Sequence, residues 1–171
     1  VLTDITVVGS TTLCYGESVL LQGPAGTNFL WNNGEVSSDI TASASGSYQA
    51  VFTDGNGNEQ VTNVVDVFVY PELIIQTEVN NATNGNSNGS AGVIVSGGAS
   101  NIYTYAWSNG ASTPIIVGLS PGVYDVTVSD GTCSQNVSFS VGNENTVAGI
   151  TAAEYFWNDD PGIGNGTSIQ I

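Results

Sequence analysis

One stretch of the chain occurs twice. Residues 31–55, WNNGEVSSDITASASGSYQAVFTDG, align without a gap on residues 107–131, WSNGASTPIIVGLSPGVYDVTVSDG, at a constant offset of 76. Eight positions are identical: Trp, Asn, Gly, Ile, Gly, Tyr, Asp and Gly, in that order. In a chain of 171 residues, such a repeat predicts two homologous modules of about 70 residues each.

Each module reads as β. In GVYDVTVSDG, Val123, Asp125, Thr127 and Ser129 alternate with Tyr124, Val126 and Val128, the period of a strand with one buried face. Strands are predicted over 4–8, 18–22, 28–31, 47–53 and 62–69 in module one. In module two they are predicted over 73–79, 92–96, 104–107, 122–129 and 135–141. Short strands broken by Gly, Asn, Asp and Pro turns imply an all-β fold of two tandem β-sandwiches. Module one takes residues 1–70, module two 71–143, and an extended β tail 144–171. Tyr70-Pro71-Glu72 is the linker, because Pro cannot continue a ladder. Trp31 and Trp107 are expected to fill the space between sheets, and Tyr48 and Tyr124 to return their hydroxyls to backbone.

The charge pattern removes whole classes of function. The chain holds 15 Asp plus Glu and no Lys, Arg or His, a formal charge of -15. Every carboxylate must therefore be solvated, bonded to backbone N–H or paired with a bound cation. Nucleic acid and anionic membranes are repelled. Without His or Lys no catalytic triad, Schiff base or phosphate clamp can be built, and no catalysis is expected. The apolar runs are too short for membrane insertion by a helix. Low charge density with abundant Asn, Gly, Ser and Thr suggests an extracellular protein of a bacterial surface.

The residues WSNG…GLSPGVYDVTVSDGTC, with SNGSAGVIVSGG before them, resemble the SprB-type repeats of the giant gliding-motility adhesins of Bacteroidota. Module one, with TLCYGESVLL leading into its Trp strand, is similar to the bacterial Ig-like or PKD-like modules that accompany them. The two resemblances cover roughly residues 10–141. They imply Ig-like folds, type IX secretion, display on the cell surface, and tandem arrays acting as stalk, adhesin or filament. They imply as partners copies of the chain or adjacent repeats.

The sequence departs from the family pattern at its cysteines. The pattern pairs an early and a late Cys within a module; here only Cys14 and Cys133 are present, one in each. On the offset of 76 the vacant slots fall at Gly57 and Ser90. Free thiols, a bond between the modules and bonds to neighbouring chains all remain open.

The tail, ITAAEYFWNDDPGIGNGTSIQI, resembles the opening of a further Bacteroidota surface repeat, and it is too short to bury a core of its own. Its apolar positions Tyr155, Phe156, Trp157, Ile169 and Ile171 are expected to pair with module two or with another molecule, as in β-strand addition.

Two carboxylate clusters are candidate calcium ligands. Asp54, Asn56 and Asn58 alternate with glycines like the first half of a calcium loop, without its distal Glu; Asp159 and Asp160 precede Pro161-Gly162. A plain turn is the competing reading of each. The alternative function, a carbohydrate-binding module that recognises surface polysaccharide, requires an exposed platform formed by Tyr103, Tyr105, Tyr155, Phe156 or Trp157.

Overall fold

The computed structural model describes residues 3–145, 153–155 and 167–169. Within them the chain is all-β, without a helix, and no helix is long and apolar enough to cross a membrane. Module one contains β1 (Thr6–Val8), β2 (Thr12–Leu13), β3 (Val19–Gln22), β4 (Thr27–Trp31), β5 (Asp39–Ala42), β6 (Gly46–Tyr48), β7 (Ala50–Thr53), β8 (Glu59–Val61) and β9 (Val65–Val69). Module two contains β10 (Ile74–Asn80), β11 (Ala82–Thr83), β12 (Gly89–Ser96), β13 (Thr104–Trp107), β14 (Ile115–Leu119), β15 (Gly122–Ser129), β16 (Ser134–Val141) and β17 (Asn143–Glu144).

The two modules share one Ig-like β-sandwich topology. In each, one sheet is built from the first, second long and middle strands: β1-β3-β5 and β10-β12-β14. The facing sheet is β4-β7-β8 with β2-β9-β6 in module one and β13-β15-β16 in module two. After its first strand the chain crosses sheets, so that β2 lies parallel to β9 and β11 lies parallel to β17. The strand predicted over 47–53 is interrupted at Gln49, and the one predicted over 62–69 begins later, at Val65. At that irregularity Ala50 N–H donates to Thr62 Oγ1 at 2.9 Å and Thr62 N–H donates to the Ala50 carbonyl at 2.9 Å.

Each module buries its own core. Leu21, Trp31, Phe52 and Val19 anchor the first; Trp107, Val126, Val128 and Val141 anchor the second. Phe29 stacks on Phe52 with centroids 5.3 Å apart, and Trp107 meets Phe139 edge-on at 5.5 Å. The alternation seen in the sequence thus becomes two separate layers of inward-facing side chains.

The polar run 80–90 contains β11, where Ala82 is fully buried, and the start of β12. The strands of the tail, β18 (Ala153–Tyr155) and β19 (Thr167–Ile169), pair with each other in antiparallel register, Ala153 opposite Ile169 and Tyr155 opposite Thr167. This pairing uses one edge of each strand and leaves the other edge of each open. Phe156, Trp157, Asp159, Asp160 and Ile171 lie outside the described residues.

Candidate functional site: a stapled junction between the modules

The repeat reappears hydrogen bond by hydrogen bond. Trp31 Nε1–H donates to the Ser37 carbonyl at 2.8 Å and Trp107 Nε1–H to the Thr113 carbonyl at 2.7 Å. Tyr48 donates its hydroxyl to the Ala44 carbonyl and Tyr124 to the Ser120 carbonyl, both at 3.0 Å. Both corners span four residues backwards, the geometry of a tyrosine corner. Trp31, Trp107 and Tyr48 are buried and Tyr124 is half-buried, so these rings pack and brace the sandwiches.

Asp54 and Asp130 hold equivalent turns. Asp54 Oδ1 accepts the Asn56 and Asn58 N–H groups, each at 2.9 Å. Asp130 Oδ1 accepts those of Thr132 at 2.8 Å and Cys133 at 2.7 Å, and its Oδ2 accepts Ala99 N–H at 2.5 Å. The Asn58 N–H, with that of Asn56, lowers the Asp54 carboxyl against the opposing effect of burial. For Asp130 burial pushes upward, but the N–H groups of Cys133, Thr132, Ala99 and Ser100 outweigh it and the carboxyl lies below its usual range. These bonds are what the turn reading of Asp54, Asn56 and Asn58 requires. Among the described residues no group of three or more His, Cys, Asp or Glu side chains is placed to hold a metal ion.

A depressed carboxyl contributes stability that is fully present above its unfolded pKa, about 3.9, and is lost as pH falls through the lower folded value. Asp130→Asn is therefore expected to destabilise module two by about 2 kcal/mol at neutral pH, with the gap to the natural chain flat above about pH 5 and closing below about pH 4. Denaturant titrations across that range measure it; a gap that stays constant into acid would show that the charge contributes nothing.

The turn of Asp130 also forms one wall of the junction. Cys133, in that turn, is disulfide-bonded to Cys14 just after β2, with Cα atoms 5.7 Å apart, and no cysteine is free. Of the three readings the sequence left open, the bond between the modules is the one found. The vacant slots also move. Asp54 N–H bonds to the Asn58 carbonyl as Asp130 N–H bonds to that of Cys133, so Asn58, not Gly57, stands in the late slot. Glu17 N–H bonds to the Cys14 carbonyl as Asn86 N–H bonds to that of Thr83, so Thr83, not Ser90, stands in the early one. The turn after Asp54 is one residue longer than the turn after Asp130, which breaks the constant offset.

Linker and staple run side by side. Leu13, next to Cys14, accepts the Tyr70 N–H through its carbonyl at 2.9 Å. On the other side Gly98 N–H donates to the Pro71 carbonyl at 3.2 Å, and Leu73 is buried. Gly97 has φ +84, and a Cβ there would lie 1.9 Å from the Glu72 carbonyl oxygen; only glycine permits both the conformation and the approach. Tyr103 fixes this loop by donating its hydroxyl to the Gly97 carbonyl at 2.9 Å.

Tyr103 and Tyr105 are half-buried against the core of module two, so they do not form the exposed platform that the carbohydrate-binding alternative assigned to them. The sequence marks Glu72 as linker and Leu73 as the start of a strand, but it singles out neither Tyr15 nor Ser134 at the junction. Proximity of Tyr15 to Cys14, and of Ser134 to Cys133, was the available signal, and it needed the disulfide pairing to be read.

No family model and no curated protein matches the chain. Among solved structures, the amphioxus IgVJ-C2 molecule overlays 77% of this chain and 99% of its own at 12% identity and a TM-score of 0.34. The insect immune protein hemolin covers 82% of this chain and 46% of its own at 13% identity and TM-score 0.44. The fibronectin(III)-like modules of Clostridium thermocellum CbhA cover 82% and 94% at 13% identity and TM-score 0.33. Overlays this loose carry no argument about function, and the sandwich assignment rests on the strand order described above.

Proposed function

We propose that the chain is a non-catalytic spacer segment of a secreted bacterial surface adhesin or stalk, in which two Ig-like modules are locked into one rigid unit. The observation that carries this reading is the Cys14–Cys133 bond lying beside the linker. One flexible connection lets two modules swing; two parallel connections leave only rocking about the line that joins them. A disulfide supports an oxidising compartment, which suits display outside the cell, as does the lack of any Lys, Arg or His side chain for binding phosphate or lipid. The resemblance to SprB-type repeats adds type IX secretion and tandem arrays to the reading.

Neither outer end of the pair carries a cysteine, since Asn58 and Thr83 occupy those places. Any further module would be joined to this pair without an equivalent staple. Assembly through the tail stays part of the reading, since the β18–β19 pair leaves one edge of each strand open for strand addition. Small-angle scattering tests the lock. The oxidised chain should give one narrow distribution of intramolecular distances that broadens on adding reductant; equal breadth in both conditions would overturn the rigid-spacer reading.

A further inference from the structure

Staple and linker together enclose a half-open cleft of about 210 Å³, lined by Tyr15, Glu72, Leu73, Cys133, Ser134 and Gln135 among others. Every one of these residues lies within two positions of a bonded cysteine or of Pro71. The cleft is therefore composite: module one supplies Tyr15, module two supplies Ser134 and Gln135, and neither module alone contains it. Clefts between domains are preferred places for ligands.

We infer that this cleft binds a single sugar ring of an uncharged polysaccharide. The inference goes beyond the spacer reading and rests on it, because the locked junction is what fixes the cleft. Leu73 and Cys133 are buried and make an apolar floor. Tyr15 is 63% exposed at the rim and makes no ring contact among the described residues, so its face is free. The axial C–H face of a pyranose suits such a ring, since apolar contact and the negative aromatic face both favour C–H groups.

Glu72, Ser134 and Gln135, exposed at the cleft, can exchange hydrogen bonds with the hydroxyls of the sugar. The Glu72 carboxylate accepts, the Gln135 amide donates and accepts, and the Ser134 hydroxyl does either. None of the three side chains makes a hydrogen bond within the described residues. At about 210 Å³ the space is smaller than the roughly 300–1,000 Å³ of pockets for larger ligands, which limits the occupant to one ring. Anionic sugars and nucleotides are disfavoured by Glu72 and by the charge of -15. A single lining carboxylate is too few for a bound divalent cation.

The test is amide-resolved NMR on the whole oxidised chain, titrated in turn with cello-, xylo-, laminari- and manno-oligosaccharides, with oligogalacturonate, and with tetramethylammonium. At least one uncharged series should shift Tyr15, Glu72, Ser134 and Gln135 with a Kd of about 1 mM, the affinity expected for one ring. Tyr15→Ala, on the surface and outside both cores, should weaken it at least about tenfold, and reduction of the staple should weaken it further. Oligogalacturonate should leave these signals in place. No shift with any uncharged series up to about 50 mM, shifts that persist in Tyr15→Ala, or shifts with tetramethylammonium alone would each overturn the inference. The scattering experiment reads the lock independently, so a rigid junction with an empty cleft is distinguishable from a junction that was never locked.

Discussion

Trp107→Ala is expected to cost module two about 3–5 kcal/mol and to split thermal unfolding into two transitions. The side chain is only 4% exposed. Its ring meets Phe139 of β16 within its own sheet, and its Nε1–H reaches across to the Thr113 carbonyl on the approach to β14 of the facing sheet. Alanine would leave a cavity and strip a carbonyl of its partner, two losses that add. Domains of ordinary size are stable by about 5–15 kcal/mol, so this change removes most of the margin of a module this small. Module one keeps Trp31 and its own core and should unfold near its original temperature. Calorimetry reads both transitions; equal displacement of both would show that the two cores unfold as one.

Much of the sandwich is legible in the sequence, for a physical reason. The positions that brace it, Trp31 and Tyr48 and their counterparts Trp107 and Tyr124, are large rings with one polar atom each, and few alternatives satisfy both the packing and the hydrogen bond. They are kept in both repeats, with turn residues such as Gly34 and Gly110, while most other positions differ. The strand expected over Gly122–Ser129 is found to the residue, because Tyr124, Val126 and Val128 recur at every second position and its second half alternates between buried and outward positions.

The missed strands lack that alternation or are too short to show it. In β14, Ile115 and Val117 face solvent while Ile116 and Leu119 are buried, so apolar residues occupy both faces and no period shows. The repeat of β14 in module one, β5, does alternate, with Ile40 and Ala42 buried between exposed Asp39 and Thr41, but its two inward positions are too few to stand out in the sequence. β2 and β11 have two residues each, too few for any period, and are defined by the partners they lie against rather than by their own sequence. The junction was hidden for a different reason. Its residues come from three distant stretches around 14–15, 71–73 and 133–135, and only the folded chain with its disulfide brings them together. A constant offset could not have located the vacant cysteine slots, since the turn after Asp54 is longer than the turn after Asp130 and the stretch from Cys14 to Trp31 is shorter than that from Thr83 to Trp107.

Loss of the staple is the second large expected effect. The bond closes a loop with a sequence separation of 119, which corresponds to roughly 5 kcal/mol of chain entropy removed from a fully unfolded state. Cys14→Ser should therefore lower the denaturant midpoint of the whole chain, and reduction of the natural chain should match it. The larger consequence is mechanical. When the chain is pulled by its ends, load entering before Cys14 passes through the disulfide to Cys133 and bypasses everything between them.

Single-molecule stretching from end to end tests this claim most directly. At about 3.6 Å per residue, the separation of 119 residues should withhold about 430 Å of contour length from the oxidised chain, released in full once reductant is added. Equal contour lengths in the two conditions would contradict the stapled unit on which the account depends.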